Sequence, residues 1–144
     1  MESAAHIRLI LGRAAKAVEK VDRTSIAGTG LNVSDFSILE ALLHKGPLPI
    51  NTIGEKVLLT SGSMTAAANR LEAKGLVKRI QDPSDGRCFY LHLTKSGRQA
   101  IKMAFEKHSG NLEKVVAILS AQERQELLRL LKKLGRHAQE VRLT

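Results

Sequence analysis

LVKRIQDPSDGRCFYLHLTKSG, residues 76–97, has the pattern of two short strands joined by a charged turn. On the return strand apolar and polar side chains alternate with period two, so Phe89, Leu91 and Leu93 are expected to face a core while Tyr90 and His92 face away. Asp82, Pro83, Ser84, Asp85 and Gly86 supply the turn chemistry: side-chain bonds to nearby backbone, a fixed φ, and a residue free of Cβ constraints. Arg87 leaves the turn as its lone cation, with Asp85 placed to brace it. A hairpin tip of this kind suits a DNA minor groove, where negative potential attracts an inserted arginine.

Upstream of the hairpin the chain reads as helices. Ile7, Leu11, Ala14, Val18 and Val21 recur at spacings of four and three, the seam of a long amphipathic helix ending near Gly28-Thr29-Gly30. Ser34 is a candidate cap for a second helix carrying Phe36, Leu39, Leu42 and Leu43, which stops at Gly46-Pro47. Leu48 to Ile50 can add one small strand, and Asn51 can open a short helix with Ile53 and Val57 inward. Thr60 or Ser61 caps the next helix, which ends at Gly75, the residue best suited to a left-handed conformation after a helix.

In that helix, Met64, Ala67, Ala68 and Leu71 share one face at 100° per residue. Gly62, Ser63, Thr65, Ala66, Asn69 and Arg70 lie outward. Small polar side chains let a helix backbone approach base edges, asparagine can bond adenine bidentately, and arginine reaches guanine or phosphate. An ordinary surface helix carries the same residue types. What separates the two readings is context, a short helix before and a hairpin after.

The charge balance agrees with a polyanionic partner: 144 residues carry 23 Lys+Arg against 14 Asp+Glu, a formal net charge of +9. From residue 74 to 102 the cations Lys74, Lys78, Arg79, Arg87, Lys95, Arg98 and Lys102 face only Asp82 and Asp85. A solvated basic face is the alternative reading of the same charges. Beyond Thr94, Ile101, Phe105, His108, Leu112, Val115 and Leu119 keep a four-three spacing. Ser120-Ala121-Gln122-Glu123 has the capping-box pattern and opens a last helix with Leu127, Leu130, Leu131 and Leu134. The terminal helices carry more apolar face than a small central domain covers, which points to a homodimer joined through them; an intramolecular bundle is the alternative.

Asp82 to Arg87, the following Leu93-Thr94-Lys95-Ser96-Gly97, and the preceding Leu71-Glu72-Ala73-Lys74-Gly75-Leu76-Val77-Lys78-Arg79 together resemble the MarR family of bacterial winged helix-turn-helix regulators. The resemblance implies a mainly α, α+β winged helix-turn-helix fold of about six helices with a two- to three-stranded wing sheet. It implies one MarR-type domain over 1–144, with 34–97 binding DNA and 1–30 and 98–144 forming dimerisation helices. Ser61, Ser63, Thr65, Ala66, Asn69 and Arg70 then fall on the recognition helix. Arg79 joins the DNA-binding set, Asp85 matches the wing aspartate and Arg87 the arginine that enters the minor groove. Gly86 departs from the family, which often has a second arginine there. The implied partners are double-stranded DNA with a palindromic operator, a second copy of the chain and a small-molecule effector, and the implied mechanism is steric repression or, less often, activation, relieved by that effector. The pattern His44-Lys45-Gly46-Pro47 and Val57-Leu58-Leu59-Thr60-Ser61 also resembles members that sense quinones or phenolic compounds.

Ala14, Val18, Phe36, Leu39 and Leu43 are candidate pocket walls, and plain core is the competing assignment for each. Cys88, the one cysteine, is a candidate thiol-based redox switch beside Arg87, or else a small strand residue half-packed on the sheet. A winged module that binds protein is the remaining alternative. The five histidines lack paired ligand spacing, so no metal is expected, and no cofactor motif occurs. His108, on a helix seam, reads as a buried hydrogen-bonding residue. No nucleophile elbow, phosphate loop or Cys-His constellation appears, which argues against an enzyme. Met1 to His6 lacks a cationic leader and Arg8, Arg13 and Lys16 interrupt the first helix, so no membrane span is expected and the location should be cytoplasmic.

Overall fold

The computed structural model describes residues 3–144; Met1 and Glu2, the start of the leading segment read above, lie outside the described residues. Two compact units divide the chain, one running to Ser109 and the other covering Gly110–Thr144. Among the described residues there are six helices and three strands.

In the first unit, α1 (Ala4–Ala27) begins after Ser3, whose hydroxyl accepts from the His6 N–H. Its seam stays open to solvent, Ile7 at 52%, Val18 at 43% and Val21 at 40%, and only Ser25 and Ile26 are buried. Helix α2 (Val33–Lys45) starts earlier than a Ser34 cap implies. Asn32, with extended backbone, is the cap: its Oδ1 accepts the Asp35 N–H at 2.8 Å, and Ser34 falls inside the first turn. Strand β1 (Leu48–Pro49) leads into α3 (Ile50–Lys56), so Pro49, not Asn51, precedes the first helical residue. The turn out of α3 passes through Leu58, whose φ of 59° is left-handed and whose side chain is 91% exposed.

Thr60 caps α4 (Ser61–Ala73) by accepting the Ser63 N–H. Met64, Ala67, Ala68 and Leu71 are its buried residues, the face that 100° periodicity defines. Gly75, at φ 73°, ends the helical run and turns the chain into the hairpin. Strands β2 (Val77–Asp82) and β3 (Asp85–Leu93) pair antiparallel, and β1 joins the other edge of β3, giving the order β1-β3-β2. Leu91 is fully buried opposite Leu48 and Leu93 is half-buried opposite Val77. Phe89 departs from the alternation and is 39% exposed. It lies past the β1 pairing and opposite Gln81, where the register becomes irregular, so the hairpin has left the core by that point.

One hydrophobic core joins the elements: Phe36, Ile38, Leu39 and Leu42 from α2, Ile53 from α3, Met64 and Leu71 from α4, Val77 and Leu91 from the sheet, and Ile101 from α5 (Lys95–Val116). At the head of α5, Thr94 Oγ1 donates to the Gly75 carbonyl at 2.7 Å and accepts the Gly97 N–H at 2.9 Å. Gly97 packs so closely that a Cβ there would overlap the Leu76 carbonyl oxygen. Farther along α5, His108 is buried, with Nδ1 at 2.8 Å from Ser25 Oγ and Nε2 at 3.0 Å from Asp22. The Asp22 carboxylate only accepts, so Nε2 carries a proton. Phe36 and the same imidazole pack edge to face, with ring centroids 5.0 Å apart. His108 is thus the buried hydrogen-bonding residue its seam position suggested.

In the second unit, α6 (Ala121–Glu140) opens with a complete capping box: Ser120 Oγ accepts the Glu123 N–H and Glu123 accepts the Ser120 N–H. The backbone N–H of Ser120, then its side chain, hold the Glu123 carboxyl below the usual carboxylate range. No residue of α6 is buried, and Leu127, Leu130, Leu131 and Leu134 are each more than two-fifths exposed. Among the described residues no helix is long and apolar enough to cross a membrane.

Candidate nucleic-acid interface

Helix α4 and the hairpin carry the sequence-predicted contact residues, and they hold them in two different ways. Along the N-terminal half of α4, Ser61, Ser63, Thr65 and Ala66 are exposed. Thr65 Oγ1 donates back to the Ser61 carbonyl at 2.9 Å, which uses its hydroxyl hydrogen and leaves the oxygen able only to accept. The resulting surface is smooth and small-featured, and it lets the helix backbone come close to whatever it meets.

The C-terminal half differs. Arg70 turns back onto α2 and binds Asp35, with Nη2–Oδ1 at 2.6 Å and Nε at 3.3 Å from both oxygens. Lys74 Nζ reaches the other carboxylate oxygen at 3.5 Å. Asp35 is entirely buried, so its charge requires these two cations, and its hydrogen bond first and its charge second raise the Arg70 pKa further. Asn69 is likewise engaged: Arg79 on β2 donates from Nη2 to Asn69 Oδ1 at 2.5 Å. Glu72 accepts the Arg79 backbone N–H at 3.2 Å, with its carboxylate 3.9 Å from Nη1. Asn69, Arg70 and Arg79, all expected to touch DNA, thus spend their best hydrogen bonds within the protein. The partners lie 35 and 10 residues away along the chain, and no local pattern pairs them.

At the wing tip Arg87 is 95% exposed and its Nε lies 3.6 Å from Asp85 Oδ1, which also accepts the Arg87 backbone N–H. Asp82 shapes the turn by accepting from the Ser84 N–H and hydroxyl, and these bonds, the backbone one first, keep its carboxyl below the ordinary range. Gln81 Nε2 donates to the Gly86 carbonyl at 2.8 Å and closes the loop across the hairpin.

Between wing and helix lies a groove of about 610 Å³, whose walls include Ile50, Met64, Thr65, Arg87, Cys88 and Phe89. Cys88 is half-buried on β3. The five residues considered as pocket walls are placed otherwise. Phe36 and Leu39 are solid core, Leu43 packs half-buried against it, and Ala14 and Val18 are exposed along α1. None of the five lines this groove. Among the described residues no cluster of three or more metal-ligating side chains occurs.

A short helix, a small-featured helix and then a hairpin with an exposed arginine make a winged helix-turn-helix, and comparison with known proteins agrees. The MarR family model matches residues 31–89. The HTH-type transcriptional regulator MhqR of Bacillus subtilis is 32% identical over 139 residues, 96% of this chain and 96% of its own length. The chain belongs to the MarR family. It is accordingly a DNA-binding regulator of transcription and not an enzyme.

Two solved MarR-fold structures show the architecture at lower identity. A mutant MarR from E. coli complexed with operator DNA superposes with a TM-score of 0.74 at 21% identity, covering 92% of this chain and 99% of that one. NadR in complex with 4-hydroxyphenylacetate gives 0.73 at 23% identity, covering 92% of this chain and 93% of that one.

Proposed function

We propose that this MarR-family protein is a repressor that binds a palindromic operator as a homodimer and leaves it when a small phenolic or quinone-like molecule binds. The observation that carries the DNA half of this reading is the pairing of an exposed, small-residue helix surface with Arg87, 95% exposed and steered by Asp85. Residues 34–97 form the DNA-binding region, with Ser61, Ser63, Thr65 and Ala66 in the major groove and Arg87 in the minor groove. The segments 1–30 and 98–144 form the dimerisation helices. Support for dimerisation comes from two apolar seams, each open to solvent: Ile7, Val18 and Val21 on α1, and Leu127, Leu130, Leu131 and Leu134 on α6. A dimer places two recognition helices on half-sites about 10 bp apart, so a small rotation of one against the other breaks register. The operator complex of E. coli MarR and the 4-hydroxyphenylacetate complex of NadR support the partner classes. The protein acts in the cytoplasm, where its DNA partner lies.

The test is fluorescence anisotropy on DNA from just upstream of the protein's own coding region, across a salt series and against random DNA. Specific binding that exceeds random DNA by about 10³-fold, falls steeply with salt and is reversed by a phenol or quinone is the expected result. Binding no tighter than to random DNA overturns the operator; tight binding that every phenol and quinone leaves unchanged overturns the effector.

A further inference from the structure

Asn69 faces outward from the recognition helix, yet one end of its amide is already taken. Arg79 Nη2 lies 2.5 Å from it, and a guanidinium has five donors and no acceptor, so the atom facing Arg79 must be the amide oxygen. The orientation therefore follows from chemistry and not from a choice between two similar-looking atoms. Arg79 is itself fixed. Its Nε is buried, its backbone N–H is bonded to Glu72, and its side chain is 28% exposed. Glu72 stands one turn beyond Asn69 on the same helix, so Arg79 grips α4 at two points on one face.

An asparagine that recognises adenine bidentately must accept from the base N6 amino group through Oδ1 while donating to N7 through Nδ2. With one lone pair of Oδ1 held by a cation on β2, the oxygen is turned toward that strand, and the end of the amide left for a base is Nδ2 with its two hydrogens. We propose that Arg79 is a specificity-determining positioning residue, which acts through Asn69 by turning it from a bidentate adenine reader into a donor that selects base-edge acceptors. The acceptors available to it are guanine O6 and N7, adenine N7 and thymine O4. Arg79 touches no base in this arrangement; it sets which end of Asn69 does. The inference rests on α4 being the base-reading helix, as proposed above.

The experiment is selection of binding sites from a randomised DNA library by the full chain as wild type, Arg79→Met, Arg79→Lys, Asn69→Ala and the Arg79→Met/Asn69→Ala double variant, each checked by thermal melting. Wild type should enrich a defined site. Arg79→Met frees Oδ1, so at the one base pair per half-site that is sensitive to Asn69→Ala the preference should move toward A·T by about tenfold. Arg79→Lys keeps a donor on the oxygen and should retain the wild-type preference, and the double variant should match Asn69→Ala at that pair. Uniform weakening of Arg79→Met across all sequences, with a shallower salt slope, would make Arg79 a phosphate contact and overturn the proposal. The same base shift persisting in the Asn69→Ala background would also overturn it. If Arg79→Met fails to fold, Arg79→Lys decides, since a changed preference there contradicts capture of the oxygen by a donor. Failure of wild type to enrich any site would instead overturn the DNA-reading function of α4 and this inference with it, a result distinct from the two others.

Discussion

The back half of α4, the proposed recognition helix, and the tip of the wing both present arginines, and they treat them in opposite ways. Arg70 is sunk onto a fully buried carboxylate and keeps 40% of its side chain exposed, while Arg87 is 95% exposed beside a carboxylate that is itself half-exposed. The first contact joins α4 to α2 and fixes the helix; the second leaves a cation ready for a polyanion. On the proposed DNA-binding surface, the burial of the carboxylate partner therefore separates an arginine tied into the fold from one left exposed. A buried charge that loses its partner is costly, whereas an exposed ion pair contributes little to stability and is free to exchange.

Arg70→Met breaks the scaffold side of this contrast most severely. It strands Asp35, 1% exposed, with only Lys74 at 3.5 Å. Unfolding by denaturant should show a loss of about 3 kcal/mol. Asp35→Asn should cost clearly less, because the two cations it releases are half-exposed and reach water. Equal losses would mean that the carboxylate is not the stranded partner.

Arg87→Ala breaks the other side. Operator affinity in anisotropy should fall about 30-fold, close to 2 kcal/mol, with no shift in melting, since the side chain is 95% exposed and its ion pair with Asp85 lies at the surface. A melting shift with intact affinity would reverse the roles of the two arginines.

Gly86→Arg sharpens the contrast with the smallest effect. A Cβ at that position meets only Gln81 Nε2, at 3.0 Å, the far end of a flexible side chain that can swing away. The added cation should tighten binding about fivefold on specific and random DNA alike and steepen the salt slope by about 0.9. Tightening confined to one sequence would show that the tip reads bases.

Much of this was legible in the sequence where periodicity ruled. The buried face of α4, the three strands and the capping box at Ser120 follow from patterns a few residues long. Errors arose where two residues of the same type compete or where a pattern outruns its support. Asn32 and Ser34 are both good caps, and only the tertiary role of Asp35, brought to the third helical position by an Asn32 start, separates them. Phe89 keeps the period-two pattern in the sequence but not in burial, because the strand has left the core there and the side chain lies at the groove. The engagement of Asn69, Arg70 and Arg79 was not legible at all. Each is a type expected on DNA, and what engages them within the protein is a carboxylate on α2 and, on the neighbouring strand, the pairing of Arg79 with Asn69, neither of which a one-dimensional pattern records.

The contact of Gly97 with the Leu76 carbonyl bears on how this protein can change over generations. Exposed positions admit a vocabulary of several residues, and the outer face of α4 is one such surface. Position 97 has a vocabulary of one, because any other side chain begins where a backbone oxygen already stands. Substitutions along the outer face of α4 therefore leave the joint between wing and α5 alone, whereas any side chain at position 97 forces that joint to shift.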